Sequence, residues 1–197
     1  MTAISSFKPF ADSDEIARNQ KRAFGSWLNV FDAIVYFGMT EPLLASRRTS
    51  FVPFTGAPTL RLLVWTAALT DDLACVINAD IVLAPHAREL CVEAMRVADA
   101  ATAFRFEFDP AKPEQPVSKV DNGLDMFIAR RNIWLELSKC IPDDFVLGKP
   151  VWDSWCWAWL QNRCGPKFLD LTMGRFVFHP RHTRTQTALA KPVRTDV

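Results

Sequence analysis

Val76-Ile77-Asn78-Ala79-Asp80-Ile81-Val82-Leu83 is an apolar, β-branched run interrupted by one amide and one carboxylate. Runs of this kind form strands covered on both faces, as in parallel sheets between helical layers. An unpaired carboxylate inside such a strand would be costly. The run therefore predicts that Asp80 sits where the strand leaves the sheet and meets a ligand or a metal ion, which is where open α/β sheets hold their sites. The alternative is that Asn78 and Asp80 only cap the turn before a helix. Alternate positions on a strand would put both side chains on one face, two oxygen donors aimed at one point. Hard divalent cations such as Mg²⁺ and Mn²⁺ take donors of that type and share them with nucleotide phosphates.

Outward from this run, strand and helix patterns alternate. Residues 4–10 read as a short strand, residues 12–15 supply capping groups, and Ile16, Ala17, Ala23, Phe24, Trp27 and Leu28 recur at helical spacing. Residues 33–37, closing at Gly38, and 51–54 fit further strands. Pro58 opens a helix with Leu60, Leu63, Val64, Ala67 and Ala68 on one face. After a strand over 75–83, Ala87, Leu90, Cys91, Ala94, Met95 and Ala98 keep a helical period. Residues 101–108 set Phe104, Phe106 and Phe108 against Arg105 and Glu107, which predicts one covered and one polar face. Then come a short strand over 124–129, a helix over 133–140, a tryptophan-dense helix over 151–160, and short strands over 167–172 and 175–178. Strands alternating with helices imply an α/β fold with a mostly parallel sheet between helical layers.

The chain has 197 residues, 49% hydrophobic and 23% charged, enough for one sizeable core. Residues 1–183 are read as a single domain and 184–197 as a loose basic tail. Lys plus Arg (23) nearly balances Asp plus Glu (22), so net charge predicts neither nucleic acid nor membrane as a partner of the whole chain. Residues 171–195 depart from that balance, with five Lys or Arg and no carboxylate. Such a segment can clamp a diphosphate, approach a polyanion, or simply be a solvated terminus. No stretch is long and apolar enough to span a bilayer and no secretory leader opens the chain, so a soluble, cytoplasmic protein is expected. Five cysteines without a Cys-x-x-Cys pair predict reduced thiols rather than a disulfide framework or a zinc-thiolate site.

Two further clusters could carry chemistry. In Gly148-Lys149-Pro150-Val151-Trp152-Asp153-Ser154-Trp155, Asp153 and Trp157 share one helical side four residues apart. A carboxylate beside an exposed indole suits a sugar, whose apolar face stacks on the ring while its hydroxyls bond the carboxylate. Alternatively Asp153 only favours the helix N-terminus, worth up to about 1 kcal/mol. In His179-Pro180-Arg181-His182, the proline rules out a helical zinc pair, but one imidazole could complete an oxygen-rich metal site.

Taken in order, several segments resemble small bacterial and phage glycosyltransferases of the GT-A type. They are Ser6-Phe7-Lys8-Pro9-Phe10, Gln20 with Ser26-Trp27, Val35-Tyr36-Phe37-Gly38, Ile77-Asn78-Ala79-Asp80-Ile81, Asp125-Met126-Phe127, the 148–155 segment, and His179-Pro180-Arg181-His182. The resemblance implies a Rossmann-like α/β/α sandwich with a nucleotide-diphosphate sugar at the carboxyl ends of the first strands. It also implies a DxD-like element at Asn78-Ala79-Asp80, with Asp80 as direct metal ligand and His182, or else His179, completing the metal site. Asp153 then matches a general base near the acceptor, Asp125 a position near the sugar and acceptor, and Lys8 and Phe10 positions that hold the nucleotide. Asn78, Asp80 and Trp157 complete the donor-binding set. One departure is Asn78 itself, which stands where the acidic triplet begins and removes a negative charge.

The function expected from this reading is a hexosyltransferase-like glycosyltransferase, dependent on Mn²⁺ or Mg²⁺. It would move a sugar from a nucleotide-diphosphate donor, UDP-sugar foremost, to an acceptor hydroxyl on a glycan or, as a lesser alternative, a hydroxymethylated DNA base. The chain is short for this fold, which leaves the acceptor side open or completed by another subunit. Two rivals stand beside it. A sugar nucleotidyltransferase would share the fold but normally carries a Gly-rich loop after its first strand, whereas residues 7–12 contain no glycine. A non-catalytic nucleotide-sugar binding module would keep the fold and lose the metal, as Asn78 could suggest.

Overall fold

The computed structural model describes residues 1–7, 14–38, 46–56, 58–112, 117–146 and 151–181. The elements run β1 (Thr2–Ser6), α1 (Asp14–Trp27), β2 (Ala33–Gly38), β3 (Thr49–Pro53), α2 (Leu60–Leu69), β4 (Leu73–Ile77), β5 (Val82–Leu83) and α3 (Ala87–Ala94). They continue through β6 (Ala100–Phe108), β7 (Ser118–Arg130), α4 (Arg131–Ser138), α5 (Trp152–Cys164), β8 (Phe168–Asp170) and β9 (Val177–Pro180).

The strands form one sheet in the order β3-β2-β1-β4-β7-β6-β9-β5. Strands β1 to β4 are parallel to one another, as the sequence pattern predicts. β7 runs antiparallel between β4 and β6, and β5 is antiparallel to β9. β8 and β9 both pair in parallel with β6, at opposite ends of the strand: Ala100–Thr102 takes β8 and Phe106–Phe108 takes β9.

Side chains alternate across this sheet and fill two cores. Cys75 and Ile77 join Ile34, Met126 and Ile128 beneath Phe24 and Trp27 of α1 and Ala87 and Cys91 of α3. Ala74 and Val76 join Ile4, Phe127 and Ala129 beneath Leu63 and Val64 of α2, Trp134 and Leu137 of α4, and Cys156 and Leu160 of α5. Both faces of β4 are therefore dry, which is why its sequence is continuously apolar. The two fully buried indoles keep their N–H groups satisfied: Trp27 donates to the Ile81 carbonyl at 2.7 Å and Trp134 to the Ala74 carbonyl at 3.0 Å. The architecture is a three-layer α/β/α sandwich around a mostly parallel sheet of the Rossmann-like GT-A kind.

Three sequence expectations need correction. The single strand expected over 75–83 is two strands: β4 ends at Ile77, and a turn over Asn78–Asp80 leads to the two-residue β5. The short strand expected over 124–129 is a 13-residue strand, because β7 extends back to Ser118 along the outer half of β6. The first strand begins at Thr2, earlier than expected; residues 8–10 lie outside the described residues, as do residues 182–197 with the expected basic tail.

Candidate active site

The turn after β4 is held from three directions. Trp27 fixes the Ile81 carbonyl, Ser26 Oγ accepts from the Leu83 N–H at 2.9 Å, and Ile81 closes back on the Asn78 carbonyl at 3.2 Å. The Ser26-Trp27 pair at the end of α1 thus positions the segment bearing Asp80. Ile81, wholly buried, anchors its far side.

Around this turn the charged side chains close into a ring. β7 passes beside the turn, so the Asn78 N–H donates to the Asp125 carbonyl at 2.9 Å and the Asn78 amide donates to the Asp125 carboxylate. Arg105 on β6 donates to the other oxygen of Asp125, and its Nη2 lies 3.4 Å from Glu107 Oε1. Parallel pairing of β9 with β6 sets His179 opposite Glu107, leaving Nδ1 3.9 Å from Glu107 Oε1. His179 Nε2 lies 3.3 Å from Asp80 Oδ2, which returns the ring to the turn where it began. Arg181 flanks it, with Nε 3.5 Å from Glu107 Oε2.

Burial controls the electrostatics. Asp125 is 5% exposed, and burial raises its pKa against the opposing charge of Arg105. Burial would by itself lower the pKa of Arg105, but the carboxylates of Asp125, Glu107 and Asp80 outweigh it, so the guanidinium is held cationic. Gly123 makes room for that side chain. A Cβ there would lie 2.7 Å from Arg105 Cγ and 2.8 Å from Nε. Nε is itself buried without a partner among the described residues.

The structure brings Asp80, Asn78, Asp125 and His179 together. Asn78 and Asp80 are not on alternate strand positions of one face, since the strand has ended; the amide faces Asp125 and the carboxylate faces His179. Asp153 stands apart. It lies in the first turn of α5, where its Oδ1 accepts from the Ser154 N–H at 2.8 Å, and among the described residues no hydrogen bond or ion pair joins it to the ring. The helix start is nonetheless on the Asp125 side of β7, because Phe127, two residues beyond Asp125, packs edge-on against Trp152 at 5.7 Å. Trp157 is half-buried against the core under α5 rather than exposed. Lys8, Phe10 and His182 lie outside the described residues.

Arg105, Glu107 and Arg181 join this cluster, although pattern reading placed the first two on a polar strand face and the third in the basic segment. The signal was present in Phe104-Arg105-Phe106-Glu107-Phe108, where two opposite charges sit inside an aromatic strand.

An ion could be held here in part. A carboxylate oxygen and an imidazole nitrogen 3.3 Å apart can share one cation, whose other positions phosphate and water would fill. Among the described residues no group of three or more His, Cys, Asp or Glu side chains is placed to hold a metal ion. Among the described residues no helix is long and apolar enough to cross a membrane.

No protein-family model matches the chain, and no curated protein matches it in sequence. Solved structures do match it in fold. A putative glucose-1-phosphate thymidylyltransferase from Bacillus anthracis superposes with a TM-score of 0.58 at 12% identity over 87% of each chain. A 4-diphosphocytidyl-2C-methyl-D-erythritol synthase from Anaerococcus prevotii gives 0.56, also at 12% identity over 87% of each chain. TarS 1-349 of S. aureus in complex with UDP-GlcNAc gives 0.65 at 7% identity, covering 92% of this chain and 58% of that one. At these identities the likeness establishes a fold held in common with proteins that handle nucleotides and nucleotide sugars.

Proposed function

We propose that the protein is a glycosyltransferase that uses Mn²⁺ or Mg²⁺ to move a sugar from a nucleotide-diphosphate donor, UDP-sugar foremost, to an acceptor hydroxyl. The observation that carries this reading is the Asp80–His179 pair, which joins a carboxylate on the pinned turn after β4 to an imidazole on β9. A cation held by Asp80 and His179, with His182 as a further candidate ligand, would supply positive charge opposite the donor's diphosphate. The chain's own groups divide the remaining work. Arg105 stays protonated beside the site and stabilises negative charge on the departing nucleotide diphosphate. Asp125, itself held by the Asn78 amide, fixes that guanidinium, and the two face the sugar. Lys8 and Phe10 complete the donor contacts, and Asp153 at the head of α5 accepts the proton of the attacking hydroxyl. The acceptor in this reading is a glycan, with a hydroxymethylated DNA base as the lesser alternative.

A sugar nucleotidyltransferase is the second reading, favoured by one observation: the chain spans 87% of each of the two nucleotidyltransferase-type structures but 58% of TarS 1-349. The two reactions release different products. Purified protein incubated with nucleotide sugars and Mn²⁺ should release nucleoside diphosphate, and Asp80→Asn should abolish the release. Pyrophosphate released from a nucleoside triphosphate and a sugar phosphate would replace the first reading by the second.

A further inference from the structure

Adjoining the ring at Arg181, one face of α1 forms a wall of a cleft of about 300 Å³. Glu15, Arg18, Asn19 and Arg22 recur at helical spacing along it, and Asp109, Pro110, Ala111 and Arg181 form the other side. We propose that this cleft is a metal-independent site for the phosphoryl group of a small molecule, distinct from the Asp80–His179 pair.

Donor side chains line this cleft from both sides. Asn19 is 4% exposed and lines the cleft, yet its Nδ2 has no hydrogen-bond partner among the described residues. A buried amide donor left unmatched is destabilising, and an acceptor entering the cleft would offset that cost. Arg18 and Arg22, one turn apart and exposed, have no ion pair among the described residues. Arg181 adds a third guanidinium, which Glu107 and the Ser118 hydroxyl at 3.0 Å hold in place. Against these three stand two carboxylates. One of them, Asp109, accepts the Ala111 N–H at 2.9 Å, which ties its carboxylate to the turn, and the three guanidiniums leave the cleft lining with a net positive charge. Planar guanidinium forks with an amide N–H between them match the tetrahedral array of phosphoryl oxygens, and they bind it without an ion.

Titration calorimetry on the full chain in EDTA-containing buffer tests this, with inorganic phosphate and glycerol 3-phosphate as the two probes. At least one should bind in a one-to-one ratio, and the tighter of the two identifies whether free phosphate or a phosphate ester is the natural form. Arg22→Gln and Arg18→Gln, on exposed positions that folding does not need, should each weaken binding about tenfold or more, as should Asn19→Leu. Asp80→Asn should leave it unchanged, so a failed glycosyltransferase reading and a failed phosphoryl site are told apart. Absence of saturable binding by both probes, or equal affinity in wild type and the arginine variants, overturns the proposal.

Discussion

Replacing Arg105 by leucine tests whether the buried pair behaves as its surroundings dictate. The substitution leaves Asp125, 5% exposed, with Asn78 as its remaining named donor. Breaking a buried pair by removing one partner typically costs about 3–5 kcal/mol. The carboxyl can escape part of this by taking up a proton. Holding it protonated at pH 7 against an unfolded pKa of about 3.9 costs about 4 kcal/mol, at about 1.4 kcal/mol per unit. The expected loss at pH 7 is therefore about 3–4 kcal/mol, or about 6–16 °C in Tm for a chain of this size.

The sign of the pH dependence follows from the direction of the shift. Burial raises the Asp125 pKa, and losing Arg105 raises it further. The native state then binds more protons than the unfolded state above pH 4, so stability falls as pH rises from the unfolded pKa through the folded one. At pH 5 the protonation cost is only about 1.5 kcal/mol, and the deficit against wild type should shrink accordingly. Urea unfolding of wild type, Arg105→Leu and the double variant Arg105→Leu/Asp125→Asn at pH 5.0 and 7.5 measures this. The double variant should recover most of the loss at pH 7.5. A deficit equal at both pH values and untouched by Asp125→Asn would refute the reasoning.

Three other substitutions probe neighbouring parts of the site. Gly123→Ala places a Cβ 2.7 Å from Arg105 Cγ, at the middle of a side chain tied down at its end, and should cost about 1–3 kcal/mol in urea unfolding while lowering donor turnover. Trp27→Phe keeps the apolar bulk but leaves the Ile81 carbonyl without its indole donor, so it should lose about 1–3 kcal/mol and loosen the Asp80 turn, visible as faster amide exchange at residues 79–81. Asp153→Asn should retain donor binding and lower single-turnover transfer by about 10²–10⁴-fold if the carboxylate is the base. A variant that transfers sugar at the wild-type rate would leave Asp153 a helix-end charge.

The layered fold was legible because apolar periodicity is a local signal. β2 ends at Gly38 as expected, and the buried set Leu60, Leu63, Val64, Ala67 and Ala68 on α2 is the one the helical period picks out. The site was legible only in part. Asp80 could be singled out as a carboxylate in a run covered on both faces, but the direction it faces depends on where β4 stops. Nothing in Ile77-Asn78 marks that stop: the Asn78 N–H still pairs with Asp125 on β7, and the chain then turns as the Ile81 N–H closes on the Asn78 carbonyl. Arg105 and Glu107 alternate with phenylalanines, and alternation by itself describes a solvated face equally well. Only the pairing of β9 against β6, which brings His179 and Arg181 to Glu107, turns that face inward. Trp157 erred the other way: helical spacing set it beside Asp153, but packing of α5 on the sheet half-buries it.

The central claim is that Asp80 and a divalent cation together hold a nucleotide diphosphate. Calorimetric titration of UDP into wild type and Asp80→Asn, each with Mn²⁺ and with EDTA, tests it most directly. The account predicts tight binding only for wild type with Mn²⁺, with affinity falling at least tenfold when either the carboxylate or the ion is removed and no further when both are. Equal UDP affinity in all four conditions would contradict it.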